Sequence, residues 1–258
     1  MKYGFCSWSI SHDLPNAMRL SKDMEADCIS LDFSAKESHF PLCDPQLQKE
    51  IIMLSQELSM ELCCLGVNAL CTQSMGSIQH ERAVHDIINY ALETAAALNI
   101  PAMHLPSFGK SMINSPEEFE QTAKFLSYSC EKAKDYGILL GHESIFSVEQ
   151  NRKMQEMVNM DNLFLYFDGG NLIASGNEDP ERLIREMHTS IKQLHIKDVH
   201  RGDPEHRALG NGEARVKQTV KTLVQYGYDG CWLIEENYIN RLHQAPVDLQ
   251  NLRSWIEA

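Results

Sequence analysis

The sequence predicts an α/β protein, a (β/α)8 barrel (TIM barrel), with residues 1–258 forming a single domain. Eight short apolar runs alternate with longer amphipathic stretches along the whole chain, which is the pattern of βα units and a parallel sheet. The chain has 258 residues, and barrels of this kind use about 250 residues for one domain. An open, doubly wound sheet is built from similar units, so the strand count alone leaves that alternative open.

The predicted strands are short, and each contains a run of apolar, β-branched or aromatic residues. They are expected at 2–8, 27–33, 60–67, 101–105, 137–143, 163–168, 191–197 and 230–236. No stretch rich in Ser, Gly or Pro separates them, so nothing in the sequence marks a linker between two domains.

Two of the helices between these strands carry clear signals. Apolar residues recur at helical spacing over 78–98, which predicts an amphipathic helix. Ser115 precedes a proline and two glutamates, a typical helix start, so a second helix is predicted over 116–136. The polar interval 198–213 is predicted to be one loop, followed by a helix that starts near Glu213.

The composition argues against several classes of function. The 23 Lys and Arg residues against 36 Asp and Glu residues leave a net charge of −13, which repels phosphate backbones, so nucleic acid is not expected as a partner. No apolar run approaches the roughly 20 residues of a membrane-spanning helix, so no membrane partner is expected either. The first residues lack the pattern of a signal peptide, which predicts a cytoplasmic protein, and the eight cysteines are expected to be reduced thiols.

Four side chains that can bind metal ions stand at the ends of the last four predicted strands. Glu143 ends the fifth strand and Asp168 the sixth, while His195 and Glu235 lie near the ends of the seventh and eighth. Because the carboxyl ends of the strands form the mouth of a parallel barrel, these side chains are expected to converge. Each one alone is also explained as a solvated strand-end acid or a core histidine, and only their coincidence predicts a site.

Three carboxylates and one imidazole form an oxygen-rich donor set. Such a set is more typical of a site for Mn²⁺, Mg²⁺ or Co²⁺ than of a closed structural zinc site. A divalent cation would also balance the charge of Glu143, Asp168 and Glu235, since without one at least one carboxylate would have to take up a proton. The expected cofactor is therefore one divalent metal ion, Mn²⁺ in the first place, with Mg²⁺, Co²⁺ or Zn²⁺ as alternatives.

The second half of the chain resembles the xylose-isomerase-like TIM barrels, which include sugar epimerases and isomerases. The resemblance rests on Phe167-Asp168-Gly169-Gly170-Asn171, His195-Ile196-Lys197-Asp198, Leu209-Gly210-Asn211-Gly212-Glu213, and Gly227-Tyr228-Asp229-Gly230 leading to Ile234-Glu235. It covers about 143–236 well, whereas the first hundred residues match mainly in their strand–helix rhythm. Within the family these segments are most similar to ketose 3-epimerases, including pentulose-5-phosphate 3-epimerases.

The resemblance implies that Glu143, Asp168, His195 and Glu235 are the metal ligands and that the substrate is a sugar or sugar phosphate. It also implies that Glu143 and Glu235 form the acid–base pair. One would remove the proton next to the ketose carbonyl, giving an enediolate that is then reprotonated. A homo-oligomer is compatible with the resemblance, although no interface can be read from the sequence.

Five further residues are candidates for contact with the substrate. His104 ends the fourth strand, Lys197 and Asp198 follow a proposed ligand, and Arg201 lies in the next loop, within reach of a hydroxyl or phosphate. Asn171 stands where some free-ketose epimerases of the family carry histidine, which argues against a free hexulose. Unlike histidine, asparagine can hold a hydroxyl but cannot carry a proton.

Two weaker signals have plain structural explanations. The N–H groups of Gly210-Asn211-Gly212 could face a phosphate, but an ordinary turn explains them equally well. Trp8 could cover the apolar face of a sugar, but packing in the core is the preferred interpretation.

Three other functions stay open from the sequence. A lyase, such as a keto-inositol dehydratase, can use the same metal and base to expel a hydroxyl. A phosphodiesterase like the family's DNA-repair branch is less favoured, because that branch needs three metals and a basic groove. A sugar-binding barrel without catalysis is disfavoured by the presence of both Glu143 and Glu235.

Overall fold

A computed structural model describes residues 1–37 and 39–257, the side chain of Pro204 excepted. Ten strands, β1 to β10 in chain order, run over Lys2–Cys6, Cys28–Asp32, Glu61–Gly66, Ala102–Pro106, Leu139–Glu143, Leu163–Asp168, Ile191–Ile196, Asp198–His200, Asp203–Arg207 and Cys231–Ile234. Within the described residues, ten α-helices, α1 to α10, run over Ser7–Ile10, Leu14–Asp23, Pro45–Glu57, Glu81–Ala97, Pro116–Lys134, Val148–Val158, Gly169–Ser175, Pro180–Met187, Val216–Gln225 and Ala245–Ile256.

Eight of the strands close into a parallel barrel in the order β1-β10-β7-β6-β5-β4-β3-β2. Closure occurs at β1, where Gly4 is paired with Cys28 of β2 on one side and with Leu233 of β10 on the other. An open sheet would leave two edge strands unpaired, so this pairing confirms the predicted barrel and excludes the doubly wound alternative.

Most predicted elements lie where the sequence places them. Strand β6 has the predicted bounds, and α4 falls inside the predicted 78–98. Helix α5 begins after Ser115, whose hydroxyl accepts a hydrogen bond from the Glu118 N–H while the Glu118 carboxylate accepts one from the Ser115 N–H. This reciprocal cap satisfies N–H groups at the helix start that would otherwise lack partners.

The prediction of one loop over 198–213 was wrong. Strands β8 and β9 form an antiparallel hairpin in this interval, with Asp198 paired to Arg207. The following helix begins at Val216 rather than near Glu213. The hairpin strands are short and polar, so they lack the alternation of apolar residues by which a strand is recognised.

The core has two layers. A large apolar layer lies between the barrel strands and the surrounding helices. A smaller cluster belongs to the strands alone, and it contains Cys6, Cys28, Cys63, Cys64, Ala102, Phe164, Tyr166 and Leu233. All eight cysteines are free thiols. Within the described residues, each helix is too short or too polar to cross a bilayer.

Candidate active site at the carboxyl end of the barrel

The four strand-end residues converge at the carboxyl end of the barrel. Glu143 and Asp168 are the last residues of β5 and β6, His195 lies one residue before the end of β7, and Glu235 directly follows β10. The strands hold them in register, because Asp168 is paired with His195 and the Glu235 N–H donates to the Ile196 carbonyl at 2.9 Å. Glu143, Asp168 and His195 are buried, and Glu235 is half-buried.

The imidazole of His195 faces all three carboxylates. Its Nδ1 lies 3.5 Å from Glu235 Oε2, 3.8 Å from Glu143 Oε2 and 4.0 Å from Asp168 Oδ2. Neither ring nitrogen of His195 has a hydrogen-bond partner among the described residues, although buried polar atoms normally find one.

This donor set fits a divalent cation. Ligand atoms about 2.1 Å from a common ion lie roughly 3.0–4.2 Å from one another, depending on the angle between them. The three distances from His195 Nδ1 fall in that range. An ion here would also give the unpartnered imidazole nitrogen a partner and would neutralise the facing carboxylates.

Lys197 places a positive charge next to the carboxylates. Its ammonium nitrogen lies 2.9 Å from Asp168 Oδ2 and 2.6 Å from Glu235 Oε2. Gly170 leaves room for the Lys197 side chain, because a Cβ at residue 170 would come within 2.6 Å of the lysine Cγ. On the other side of the cluster, the Asn171 amide donates to Glu143 Oε1 at 2.8 Å and to Asp168 Oδ2 at 3.2 Å.

His104 touches the cluster through a hydrogen bond between its Nε2 and Glu143 Oε2. Burial disfavours its charged form and lowers the pKa of His104 to about 4. The ring is therefore neutral at neutral pH, and when Glu143 is ionised the contact requires the tautomer that carries its proton on Nε2.

The carboxyl groups differ in their protonation. Burial raises the pKa of Glu143, and it raises that of Asp168 to about 6 against the opposing effect of Lys197. Burial acts on Glu235 in the same direction, but nearby Lys197 and His195 outweigh it and hold the pKa of Glu235 well below its ordinary value. Proton uptake, which the sequence suggests for crowded carboxylates, is thus favoured at two of the three groups.

The model of one protein family, the xylose isomerase-like TIM barrel, matches residues 18–257. This chain belongs to that family. Among curated proteins, it is 26% identical over 223 residues to a 2-epi-5-epi-valiolone 7-phosphate 2-epimerase of an Actinoplanes species, covering 86% of this chain and 82% of that protein.

Two other similarities bear on the family assignment. The chain is 28% identical over 142 residues to an inosose dehydratase of Lacticaseibacillus casei, covering 46% of this chain and 47% of that protein. Among solved structures, a D-tagatose 3-epimerase-like protein superposes with a TM-score of 0.82 at 21% identity, over 100% of this chain and 98% of the other. At that identity the superposition shows the shared barrel fold.

A cavity of about 810 Å³ opens beside the Glu235 carboxylate. Its lining includes Trp8, Lys197, His206, Glu236 and Arg241. It therefore gives solvent and small molecules access to the half-buried side of the carboxylate cluster.

Trp8 takes part in the site, contrary to its interpretation as a core residue. Its indole Nε1 donates to Glu235 Oε1 at 3.0 Å, and its ring meets the His195 ring edge-on at 5.9 Å between centroids. Gly66 leaves room for this ring, because a Cβ at that position would come within 2.8 Å of it.

Asp198 is not brought into the cluster. It is buried, and its carboxylate accepts N–H groups of the following loop, those of Gly210, Gly212 and Ala214, at 2.8–3.0 Å. The N–H groups of Gly210 and Gly212, which were candidates for binding a phosphate, therefore already donate to Asp198. The structure favours an ordinary turn at this segment.

Arg201 also lies away from the carboxylates. It is exposed and lines a different surface cavity, together with Arg215 and Glu178. Its backbone N–H donates to the Glu213 carboxylate at 2.8 Å.

Sequence reasoning missed a second carboxyl group in the cavity. Glu236 accepts the Asp198 N–H at 2.6 Å and an Arg241 N–H at 3.1 Å, and His206 Nδ1 lies 3.5 Å from it. Burial raises the pKa of Glu236 to about 8. Its position directly after Glu235 was a signal, but no motif connects it with His206 of β9 or with Arg241, five residues further along the chain.

Proposed function

We propose that this protein is a divalent-metal-dependent sugar epimerase or isomerase that acts on a ketose or ketose phosphate. The observation that carries the proposal is the buried His195 imidazole, with unpartnered nitrogens, facing carboxylates on three other strand ends. A relative that aligns with 86% of this chain is named as an epimerase, which supports the same class of enzyme here.

Glu143, Asp168, His195 and Glu235 are the residues that would hold the ion. A bound dication supplies Lewis-acid chemistry, because it polarises a carbonyl and stabilises the negative charge that develops when a neighbouring carbon loses its proton.

Glu143 and Glu235 are proposed as the acid–base pair. They come from β5 and β10, which are separated in the barrel by β6 and β7, so they approach the centre from the two ends of a four-strand arc. A sugar held between them would have a carboxyl group on either side. Removal of a proton by one group and delivery by the other inverts the carbon centre, and return of the proton to the adjacent carbon isomerises the sugar.

The neighbouring residues hold these carboxyl groups in place. Asn171 and His104 contact the two oxygens of Glu143, while Trp8 and Lys197 contact the two oxygens of Glu235. We propose that His104, Asn171 and Lys197 also meet substrate oxygens, because each has a polar group at the cluster. Asp198 is proposed to act through the loop that it organises, and Arg201 is not assigned a contact.

A lyase reaction is the second candidate. It is favoured by the similarity to inosose dehydratases over about half of their length. The same proton abstraction would then be followed by loss of a hydroxyl group from the next carbon instead of reprotonation.

The test uses the Mn²⁺-loaded protein with a panel of ketoses, their phosphates and inososes in deuterated water. We expect NMR to show deuterium at C3 with inversion for epimerisation, or at C1 for isomerisation. Loss of water from an inosose would identify the lyase instead. Absence of exchange with every member of the panel would contradict the proposal and favour a sugar-binding barrel.

A further inference from the structure

Three thiols meet at the opposite end of the barrel from the carboxylates. Cys28 and Cys231 are the first residues of β2 and β10, and Cys63 lies in β3. Their sulfur atoms all lie within 4.8 Å of one another. In a tetrahedral zinc site with Zn–S bonds of about 2.3 Å the sulfurs stand about 3.8 Å apart, so a contraction of about 1 Å or less would suffice.

The barrel makes room for this cluster at its line of closure. Strand β1 lies between β10 and β2, and at the level of the thiols it presents Gly4. A Cβ at Gly4 would come within 1.9 Å of the Cys28 carbonyl oxygen and 2.9 Å of the Cys28 sulfur, so a larger residue there would displace both the backbone of β2 and the thiol.

A carboxylate stands next to the thiols. Glu61 Oε1 lies 4.0 Å from the Cys231 sulfur, while its other oxygen is bound by the Lys2 ammonium. Three sulfurs and one carboxylate oxygen make the four donors of a tetrahedral zinc site, and a lysine on the remaining oxygen orients the carboxylate. Lys2 and Glu61 also line a surface cavity, so the carboxylate can be reached from solvent.

The three thiols would lose their protons when zinc binds, because the thiolate is the form of cysteine that coordinates the metal.

We propose that Cys28, Cys63 and Cys231, with Glu61, form a structural zinc site at the amino end of the barrel. The three thiols belong to β2, β3 and β10, so the bound ion would link β2 and β3, near the start of the chain, to β10, the last barrel strand. This site is separate from the carboxylate cluster in position and in chemistry, since soft thiolates select Zn²⁺ whereas carboxylates and imidazole also accept harder ions.

The experiment titrates the reduced, metal-free full chain with Co²⁺ alone and then with Zn²⁺. We expect a near-ultraviolet sulfur-to-cobalt absorption, which a carboxylate and histidine site cannot give, and its loss when Zn²⁺ replaces Co²⁺. Cys231→Ser should weaken Zn²⁺ binding at this site about 100-fold or more and remove most of the absorption. Cys43→Ser, which alters a partly buried thiol outside the cluster, is the matched control and should leave both unchanged.

Asp168→Asn separates this proposal from the proposed function, because it alters the carboxylate cluster and should leave the sulfur absorption intact. The proposal is overturned if the wild-type protein shows no sulfur absorption at saturating Co²⁺, or if Cys231→Ser retains it in full. It is also overturned if Cys43→Ser loses the absorption to the same extent. Because Cys6 lies beside His195 and Glu235, the absorption is assigned through the variants, and Cys28→Ser takes the place of Cys231→Ser if the latter does not fold.

Discussion

At the scale of single residues, the charge state of Glu235 is set by its neighbours. Lys197 lies 2.6 Å from one of its oxygens and the Trp8 indole donates to the other. Both contacts favour the ionised form, which is the form that a general base requires. The residue adjacent in sequence, Glu236, has the opposite shift, because burial raises its pKa to about 8.

We expect Glu235→Gln to lower kcat by roughly 10²–10⁴-fold, because glutamine keeps the size and the hydrogen-bond acceptor but cannot take a proton. Steady-state kinetics on the substrate found in the panel would measure this loss, and circular dichroism would check the fold. Glu205→Gln is the control, since Glu205 lines the same cavity but is exposed. Equal losses in the two variants would remove Glu235 from the mechanism.

Only some of the residues at the candidate site could be predicted from the sequence. The strand-end positions of Glu143, Asp168, His195 and Glu235 could be predicted, because the ends of parallel strands meet at one face of a barrel. The hydrogen bond from Trp8 to Glu235 could not be predicted, since it joins residues 227 positions apart and depends on how α1 and the end of β10 orient these two side chains.

At the scale of elements, the loop between β9 and α9 is organised by one carboxylate. Asp198 begins β8 and accepts the N–H groups of Gly210, Gly212 and Ala214. This arrangement places the HxKD segment and the glycine-rich segment of the sequence in direct contact. The two motifs are therefore parts of one local structure.

We expect Asp198→Ala to lower the free energy of unfolding by about 3 kcal/mol, because three loop N–H groups, that of Ala214 buried, would lose their acceptor. Urea denaturation would measure the change. Asp203→Ala removes a half-exposed carboxylate from the same hairpin, where it pairs with Arg207, and should cost about 0.5 kcal/mol or less. Similar losses in both variants would contradict the anchoring role of Asp198.

Asp248 links α10 to two loops, since its carboxylate accepts from the Tyr238 hydroxyl at 2.7 Å and from the Leu209 N–H at 3.2 Å. Burial raises its pKa above 3.8, although the hydrogen bond from Tyr238 opposes the shift. The folded chain thus binds this proton more tightly than the unfolded chain does. The resulting contribution to stability is fully present below pH 3.8 and is lost as pH rises through the folded pKa.

Asp248→Asn removes this titration. We expect the unfolding free energy of the variant, relative to wild type, to increase as the pH rises from about 4 to about 7, because only the wild type then buries a charge. Urea denaturation at several pH values would measure it. A difference that stays constant with pH would show that Asp248 does not titrate in the folded protein over that range.

At the scale of the whole molecule, the barrel concentrates negative charge at its mouth. The chain carries a net charge of −13, and three of its carboxyl groups face one imidazole, with Lys197 as the cation in contact with two of them. A dication at this point would join the ends of β5, β6, β7 and β10, so binding and folding should be coupled.

We expect Mn²⁺ to stabilise the metal-free protein by about 2.7 kcal/mol at a free concentration 100 times its Kd, with a matching rise in Tm. Mn²⁺ is the suitable ion because it prefers oxygen and imidazole ligands to thiolates, so it reports on the mouth of the barrel. Calorimetric melting curves would measure the shift. In Asp168→Asn the shift should largely disappear, and an equal shift in that variant would place the ion elsewhere.

The sequence alone determined the alternation of strands and helices and the strand ends that carry Glu143, Asp168, His195 and Glu235, because these depend on local patterns of period and position. Tertiary structure alone decided that the sheet closes at Gly4, that Lys197 contacts two carboxylates, and that three distant cysteines meet at the amino end. Such contacts depend on barrel register and side-chain direction, which arise only when all eight strands are in place.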